Sequence, residues 1–213
     1  MPSLPNLLGF TPDPVSRCAK SGRLPASVEQ TFARLSRLAW LLLPAMLAAW
    51  LPVSANAAAD PKTVSLTPVA EPYAAPALRF RDLDGKQHDL ADLKGKLVVI
   101  NFWATWCPPC RREMPSLERL HKRLAGRGLV VLAVAAGEDA DTVREFARQL
   151  KPAPSFPMLV DPEFSVMQSW NMRGLPTTFV VDTSGRVIYS AVGEREFSHE
   201  SLIKRLLPHL PGK

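Results

Sequence analysis

Two almost uninterrupted apolar runs mark the centre of the chain. Residues 97–103 (LVVINFW) and 129–135 are rich in β-branched side chains, which is typical of strands buried on both faces of a sheet. The residues between these runs place apolar side chains at helical spacing, and glycines follow the last of them. The pattern therefore predicts a central strand, a helix and a second central strand in succession.

Shorter elements surround this centre. Residues 78–81 alternate apolar and basic side chains before the turn residues Asp84 and Gly85, which predicts an N-terminal β-hairpin. After residue 135 the pattern predicts a helix at 139–150, a strand at 158–160, a helix at 163–170, an antiparallel hairpin of 177–182 with 186–192, and a helix at 198–207. Strands that alternate with helices in this way predict a three-layer α/β domain with a mixed central sheet.

The chain has a different pattern before residue 58. Residues 38–59 contain no charged side chain, and they follow Arg34 and Arg37 and include the small-residue sequence ANA at 55–57. A basic start, an apolar stretch and an A-x-A site are the parts of a secretory signal peptide, so we interpret residues 34–57 as one. A membrane anchor through residues 38–57 is the alternative, because about 20 apolar residues span a bilayer. Both interpretations place the C-terminal part in the periplasm.

Two further segments lie outside the predicted domain. Residues 1–33, which include Cys18, show no clear periodicity and form an N-terminal extension to which the sequence assigns no role. Residues 58–76 carry four prolines among small and polar residues, which predicts an extended linker. The folded domain is therefore expected to span residues 77–210.

The charge of the chain changes when the N-terminal region is set aside. The 26 basic and 20 acidic residues give a formal net charge of +6. Five of the basic and two of the acidic residues lie in residues 1–57, which leaves 21 basic and 18 acidic residues and a net charge of +3. Because no cluster of Lys and Arg with interleaved aromatic residues is present, we expect no nucleic-acid partner.

A C-x-x-C motif stands at the junction between the first buried strand and the helix. Here the sulfur of Cys107 is expected at the helix N-terminus, where unpaired N–H groups and the helix dipole stabilise a thiolate. Cys107 is thus the expected nucleophile, and Cys110, about one turn into the helix, is expected to resolve the mixed disulfide. Pro108 and Pro109 lack N–H groups and fix φ, so they remove possible thiolate donors and stiffen the loop.

Other uses of a cysteine pair fit less well. Structural zinc needs four ligands, and the chain has three cysteines and no second pair. A c-type haem site needs C-x-x-C-H, but residue 111 is Arg. A copper-binding or metallo-assembly chaperone that uses both sulfurs as soft ligands stays open as an alternative. A thiol peroxidase is disfavoured, because Thr105 has the wrong spacing to Cys107 for a T-x-x-C site.

Residues 101–115 (NFWATWCPPCRREMP) resemble the signature of the thioredoxin superfamily, and within it the TlpA/ResA-like thiol-disulfide oxidoreductases. Residues 174–179 (GLPTTF) resemble the second motif of that family, in which Pro176 would be cis and would pack beside the active-site disulfide. The resemblance covers residues 77–210. It implies a thioredoxin-like α/β/α sandwich with an inserted βα unit between Cys110 and Pro176.

The resemblance also implies a function. A protein of this family would reduce specific protein disulfides, in cytochrome c maturation or copper-protein assembly, and a membrane electron donor would restore its dithiol. It would need no cofactor and no metal, because the disulfide Cys107–Cys110 is itself the redox-active group. Protein substrates with disulfides or reactive thiols would be bound by five residues: Trp106, Pro108, Pro109, Leu175 and Pro176.

Glu113 is the remaining candidate catalytic residue. It follows Cys110 by three residues and so lies near the same face of the predicted helix. Partial burial would raise the pKa of this carboxyl group and allow it to exchange a proton with Cys110. The alternative is a first-turn Glu that only favours the helix dipole. The family resemblance supports the functional interpretation, and Asn101 in the preceding strand cannot titrate.

Overall fold

Eight strands form one mixed sheet in residues 65–212, the part of the chain that this computed structural model describes. The strands are β1 (Thr67–Ala74), β2 (Arg79–Asp82), β3 (Gln87–Asp89), β4 (Leu97–Trp103), β5 (Leu129–Ala136), β6 (Met158–Asp161), β7 (Thr177–Val181) and β8 (Arg186–Val192). The helices are α1 (Pro108–Leu124), α2 (Ala140–Ala147), α3 (Val166–Ser169) and α4 (Glu200–Leu206). The expected N-terminal extension and the signal or anchor segment lie outside the described residues.

The sheet has the order β1-β8-β7-β4-β5-β6-β2-β3. Strands β4, β5 and β6 are parallel neighbours, and the other pairs are antiparallel. The predicted α/β class and mixed sheet are therefore confirmed, as are the hairpin of β2 with β3 and the hairpin of β7 with β8. Between the helix α1 and the strand β7 the chain forms β5, α2, β6 and α3.

Strand β4 divides the core into two halves. All seven of its residues are buried, and successive side chains point to opposite faces because a strand has a period of two. Val98, Ile100 and Phe102 pack on the face covered by α3 and by a 3₁₀ helix at Leu90–Leu93. Leu97, Val99 and Trp103 pack on the other face, which α1, α2 and α4 cover. These two helical layers and the sheet form the predicted three layers.

Helix α1 begins directly after Cys107, with Pro108 at its first position, where a missing N–H group costs nothing. Its apolar stripe, predicted from the spacing, is buried against the sheet and consists of Met114, Leu117, Leu120 and Leu124. A 3₁₀ turn at Ala125–Arg127 follows, and Gly128 then adopts a left-handed φ of 89°. This glycine ends the helical region and directs the chain into β5.

The linker prediction for residues 58–76 is wrong for its second half. Residues Thr67–Ala74 form β1, an edge strand that pairs with β8, so the domain begins before residue 77. The prolines of this segment led to the linker prediction, because proline cannot donate a hydrogen bond to a strand ladder and is tolerated only in an edge strand or at a bulge. The register of β1 shifts between Pro68 and Tyr73, and the Arg186 guanidinium donates to the Pro72 carbonyl.

Two helices are shorter than predicted. The helix expected at 139–150 ends at Ala147, and the helix expected at 163–170 is one turn, Val166–Ser169. Positive φ values at Phe164 and Asn171 (58° and 48°) flank that single turn and prevent its extension in either direction. No helix within residues 65–212 combines the length and the hydrophobicity needed to cross a bilayer.

Candidate redox site

The two cysteines of the motif form a disulfide at the start of α1. Cys107 is the N-cap residue and Cys110 lies in the first turn, with their Cα atoms 5.3 Å apart. Cys107 is 4% exposed, whereas Cys110 is fully buried. A substrate sulfur can therefore reach only Cys107 from the surface. The motif is placed as the sequence predicted, and its second cysteine faces the core.

The prolines reduce the number of donors at the helix start. The side chain of an N-cap residue usually accepts a hydrogen bond from the N–H group of the second or third helical residue. Here the first two positions are Pro108 and Pro109, which carry no N–H, and the N–H of Arg111 donates to the Cys107 carbonyl at 3.1 Å. In the first turn of α1, the N–H group of Cys110 is therefore the one that remains to donate a hydrogen bond to a Cys107 thiolate.

The predicted substrate-binding residues lie in the two sequence motifs and differ in their exposure. Trp106 is 65% exposed beside Cys107, and Pro108 is exposed, while Pro109 is half-buried. The Leu175–Pro176 peptide bond is cis, as the resemblance implied, and the Pro176 carbonyl accepts a hydrogen bond from the Gly193 N–H at 2.8 Å. Leu175 packs against the core cluster that contains both cysteines. The structure thus brings the two sequence motifs together.

Polar side chains that bond to one another lie inside the apolar core, and one of them follows Cys110 by one helical turn. Asn101 occupies the face of β4 that α1 covers, and its Nδ2 donates to Glu113 Oε1 at 2.7 Å and to Thr178 Oγ1 at 3.0 Å. Glu113 Oε2 accepts a further hydrogen bond from the Arg195 N–H at 3.0 Å. Glu113 is 1% exposed and Asn101 is fully buried. The predicted proximity of Glu113 to the buried cysteine is therefore accompanied by a hydrogen-bond network that the sequence did not predict.

The environment of Glu113 favours its protonated form. Burial raises the pKa of this carboxyl group to about 8, although the hydrogen bonds from Asn101 and from the Arg195 backbone act in the opposite direction. Among the nearby charges, Glu194 raises the pKa and the Arg195 guanidinium lowers it. A carboxyl group that titrates near neutral pH, one helical turn from Cys110, is suited to proton exchange with a thiol.

Polar contacts also hold the loop before the motif. Glu138 follows β5 and is buried; its Oε2 accepts from the Thr105 N–H at 2.8 Å, and its Oε1 accepts from the Thr105 hydroxyl. One carboxylate thus fixes the residue that precedes Trp106. Glu138 could not be predicted as part of this site from the sequence, because 33 residues separate it from Thr105.

The loop after β8 is fastened along helix α1. Contacts of this loop and of the first residue of α4 repeat at one-turn intervals on α1: Arg112 with Glu194, Ser116 with the backbone of Arg195 and Phe197, Arg119 with Glu196, and Arg123 with Glu200. This row places the Arg195 N–H against Glu113. In the sequence, this row of contacts corresponds to arginines spaced along the helix and glutamates spaced along the segment after β8. The pattern can be interpreted only when the two segments are known to be adjacent.

No group of three or more His, Cys, Asp or Glu side chains in residues 65–212 is arranged as a set of metal ligands. The two sulfurs of the site are bonded to each other.

Comparison with known proteins identifies the family. The Redoxin family model matches residues 68–206. The chain belongs to the Redoxin family. A ResA thiol-disulfide oxidoreductase from Geobacillus thermodenitrificans is 40% identical over 121 residues, which are 57% of this chain and 68% of that protein. This Redoxin-family chain is thus a TlpA/ResA-like thiol-disulfide oxidoreductase, which confirms the resemblance.

Solved structures agree with the fold. A thioredoxin-family thiol:disulfide interchange protein from Chlorobium tepidum is 32% identical, with a TM-score of 0.55 over 65% of this chain and 99% of that one. An exposed lipoprotein thioredoxin from Streptococcus pneumoniae is 30% identical, with a TM-score of 0.53 over 63% and 99% of the two chains. The Redoxin domain of this chain therefore has a thioredoxin-like fold.

Proposed function

We propose that this thiol-disulfide oxidoreductase is exported and reduces disulfide bonds in specific protein substrates. Cys107 is the nucleophile, Cys110 is the resolving cysteine and Glu113 exchanges a proton with Cys110. The observation that carries this assignment is the asymmetry of the pair: Cys107 retains 4% exposure at the helix N-terminus, and Cys110 has none and lies on the same helix as a buried carboxyl group.

In the first step the Cys107 thiolate attacks one sulfur of a substrate disulfide. A bond forms between Cys107 and that sulfur, and the other substrate sulfur leaves as a thiolate and takes a proton from water. We assign the exposed Trp106 and Pro108, together with Leu175 and Pro176, to the substrate contact around this position. Pro109 supports the same surface from its half-buried position.

In the second step the Cys110 thiolate attacks the Cys107 sulfur. The intramolecular disulfide forms, and the second substrate sulfur leaves and is protonated, so that two electrons have passed from the dithiol to the substrate. Cys110 must lose a proton inside the core, where bulk water is excluded. An ionised Glu113 can accept that proton, because its neutral form is the one that its buried environment favours.

The reductive direction and the substrates rest on the family resemblance. Disulfides in precursors of c-type cytochromes or in copper-delivery proteins are the proposed substrates, and a membrane electron donor would return two electrons to the Cys107–Cys110 disulfide. Export through residues 34–57, by a signal peptide or a retained anchor, would place the domain in the periplasm. The similarity to the exposed lipoprotein thioredoxin of Streptococcus pneumoniae supports the proposed export.

The reduction potential of the full-length chain tests the proposed direction. After equilibration in glutathione buffers, the fraction of protein with free thiols is counted by alkylation and mass spectrometry. We expect a potential closer to that of thioredoxin, about −270 mV, than to that of a strong periplasmic oxidant, about −120 mV. A value near −120 mV would overturn the reductant assignment.

Capture of mixed disulfides tests the proposed substrates. A Cys110→Ala variant expressed in the native host should retain protein partners through Cys107 that a Cys107→Ala/Cys110→Ala double variant does not retain. We expect cytochrome c precursors or copper-delivery proteins among them. Capture of no partner above the double variant would contradict a specific protein-disulfide reductase.

A further inference from the structure

An open groove of about 480 Å³ reaches Pro108, the first residue of α1, which follows Cys107 in the chain. We call it the arginine groove, and its lining residues are Pro108, Arg111, Arg112, Phe146, Gln149 and Leu150. Helix α1 supplies one wall and the end of α2 with the residues after it supplies the other. The groove is therefore a surface along which a substrate chain could continue after its reactive sulfur reaches Cys107.

The lining is apolar with a positive rim. Phe146 and Leu150 are half-buried and pack against the core cluster that contains both cysteines. Arg111 is exposed, and its guanidinium lies 5.2 Å from the centre of the Phe146 ring, a cation–π contact that orients it at the edge of the groove. The charge of the rim is thus held in place over an apolar floor.

Neighbouring carboxylates leave one of the two arginines that line the groove unpaired in the described part of the chain. In the described part of the chain no carboxylate lies within ion-pair distance of Arg111, whereas Arg112 pairs with Glu194 at 2.7 Å. The acidic residues of α2 are also engaged, since Asp141 pairs with Arg144 and Glu145 pairs with Arg148. Arg111 is therefore the cation of this surface that is available to a partner.

We infer that the arginine groove binds an acidic segment of the protein substrate next to its reactive cysteine. A planar guanidinium binds a carboxylate with two parallel hydrogen bonds. The apolar floor formed by Phe146 and Leu150 would accommodate a neighbouring side chain of the substrate. This inference rests on the proposed function and adds to it a substrate class: proteins in which the reactive cysteine is flanked by Asp or Glu.

Matched activated peptides test this inference. Three peptides are identical except that the residues flanking a single cysteine are glutamate, glutamine or lysine, and each cysteine carries a neutral thiopyridyl group. Release of the thiopyridine on mixing with the reduced full-length chain reports the exchange rate. The neutral small disulfide dithiodipyridine serves as the reference, because it has no flanking residues to dock.

We expect the glutamate peptide to react about tenfold faster than the lysine peptide at low ionic strength, and the difference to shrink at high salt. The measured quantity is the ratio of the rate with the glutamate peptide to the rate with dithiodipyridine. The Arg111→Gln variant should lower this ratio about three- to fivefold. The matched control is Arg127→Gln, which removes the same charge at an exposed position beyond the opposite end of α1 and should leave the ratio unchanged.

Several results would overturn the inference. They are equal rates with the glutamate and glutamine peptides, a preference for lysine, and a glutamate preference that Arg111→Gln leaves intact. Self-association of the chain that Arg111→Gln abolishes would assign the groove to a second copy instead. Absence of any reaction between the reduced wild-type chain and dithiodipyridine would contradict the proposed function itself, which separates that failure from a failure of docking.

Discussion

Asn101 Nδ2 donates a hydrogen bond of 2.7 Å to Glu113 Oε1 inside the core, and this contact links the central strand β4 to the active-site helix α1. The same Nδ2 group also donates to Thr178 Oγ1, directly opposite in β7, so the amide is held between two strands and the helix. Burial makes this carboxyl group retain its proton more readily than one in water, and the hydrogen bond from Asn101 offsets part of that effect. The Asn101–Glu113 contact therefore tunes the proton affinity of a group one helical turn from Cys110.

Loss of the Asn101 donor should raise the pKa of Glu113 further. The hydrogen bond from Nδ2 stabilises the ionised carboxylate and offsets part of the rise that burial causes, and the pKa with this bond in place is about 8. In Asn101→Leu, which keeps a similar side-chain volume, the carboxyl group should titrate at higher pH than in the wild-type chain. Carbon NMR of labelled glutamate side chains, assigned by comparison with Glu113→Gln, measures the midpoint.

Thr178→Val is the matched control for that substitution. It removes the hydroxyl that Asn101 contacts but retains the Asn101 donor to Glu113, so the Glu113 midpoint should move much less. An Asn101→Leu midpoint equal to the wild-type value would contradict the role given to this hydrogen bond.

Charges in the loop after β8 should shift the same midpoint in opposite directions. Glu194 raises the pKa of Glu113 and the Arg195 guanidinium lowers it. Glu194→Gln is therefore expected to lower the midpoint, and Arg195→Gln to raise it, while the backbone N–H of residue 195 still donates to Glu113. The pH dependence of mixed-disulfide resolution measures both effects. Shifts of the same sign in the two variants would show that loop displacement, and not charge, controls the carboxyl group.

The stability of the oxidised protein should depend on the protonation of Glu113. Its pKa is raised from 4.5 to about 8 on folding, so between these values the folded state holds a proton that the unfolded state has lost. The free energy of unfolding should therefore fall as pH rises from about 5 to 8, by a few kcal/mol from this group. Other groups also titrate, including His121, whose pKa burial lowers and whose contribution has the opposite sign.

Comparison with Glu113→Gln isolates the contribution. The variant cannot ionise at residue 113, so the difference in unfolding free energy between the two proteins should move in favour of the variant as pH rises through this window. Urea denaturation with the disulfide intact measures the difference at each pH. A difference that is constant from pH 5 to 8 would contradict a strongly raised pKa at Glu113.

The prolines of the motif should hold the reduction potential down. Pro109 occupies the second helical position, from which an N–H group would donate to the N-cap sulfur of Cys107. In Pro109→Ala the restored donor should stabilise the Cys107 thiolate and raise the reduction potential, with about 30 mV for each tenfold change in the equilibrium constant. Pro108→Ala is the matched control, because the first helical N–H group is not the usual partner of an N-cap side chain. Equal shifts in both variants, or a lower potential in Pro109→Ala, would contradict this explanation.

Much of the site could be predicted from the sequence, because it depends on local spacing. The apolar run before the motif predicts the central strand, and a C-x-x-C after such a strand predicts Cys107 at a helix start with Cys110 one turn inside. The position of Glu113 follows from the same helical period. These predictions need only contacts between residues that are close in the chain.

The remainder depends on long-range register. Thr178 and Arg195 lie 77 and 82 residues from the side chains that they contact, so only the pairing of β4 with β7 and the path of the loop after β8 bring them together. Asn101 is the polar residue within the buried run LVVINFW, and a buried amide needs hydrogen-bond partners. The sequence could not identify those partners. Strand β1 was missed for a related reason, since its prolines are compatible only with the edge position that the fold provides.

Intact-mass analysis of a trapped intermediate tests the central claim, that Cys107 attacks and Cys110 resolves, most directly. Reduced full-length Cys110→Ala and Cys107→Ala variants are mixed with the same thiopyridyl-activated peptide, and peptide mapping locates any adduct. We expect Cys110→Ala to accumulate a stable mixed disulfide at Cys107, and Cys107→Ala to react far more slowly because Cys110 is buried. Rapid adduct formation at Cys110 in Cys107→Ala, or no stable adduct at Cys107 in Cys110→Ala, would contradict this account.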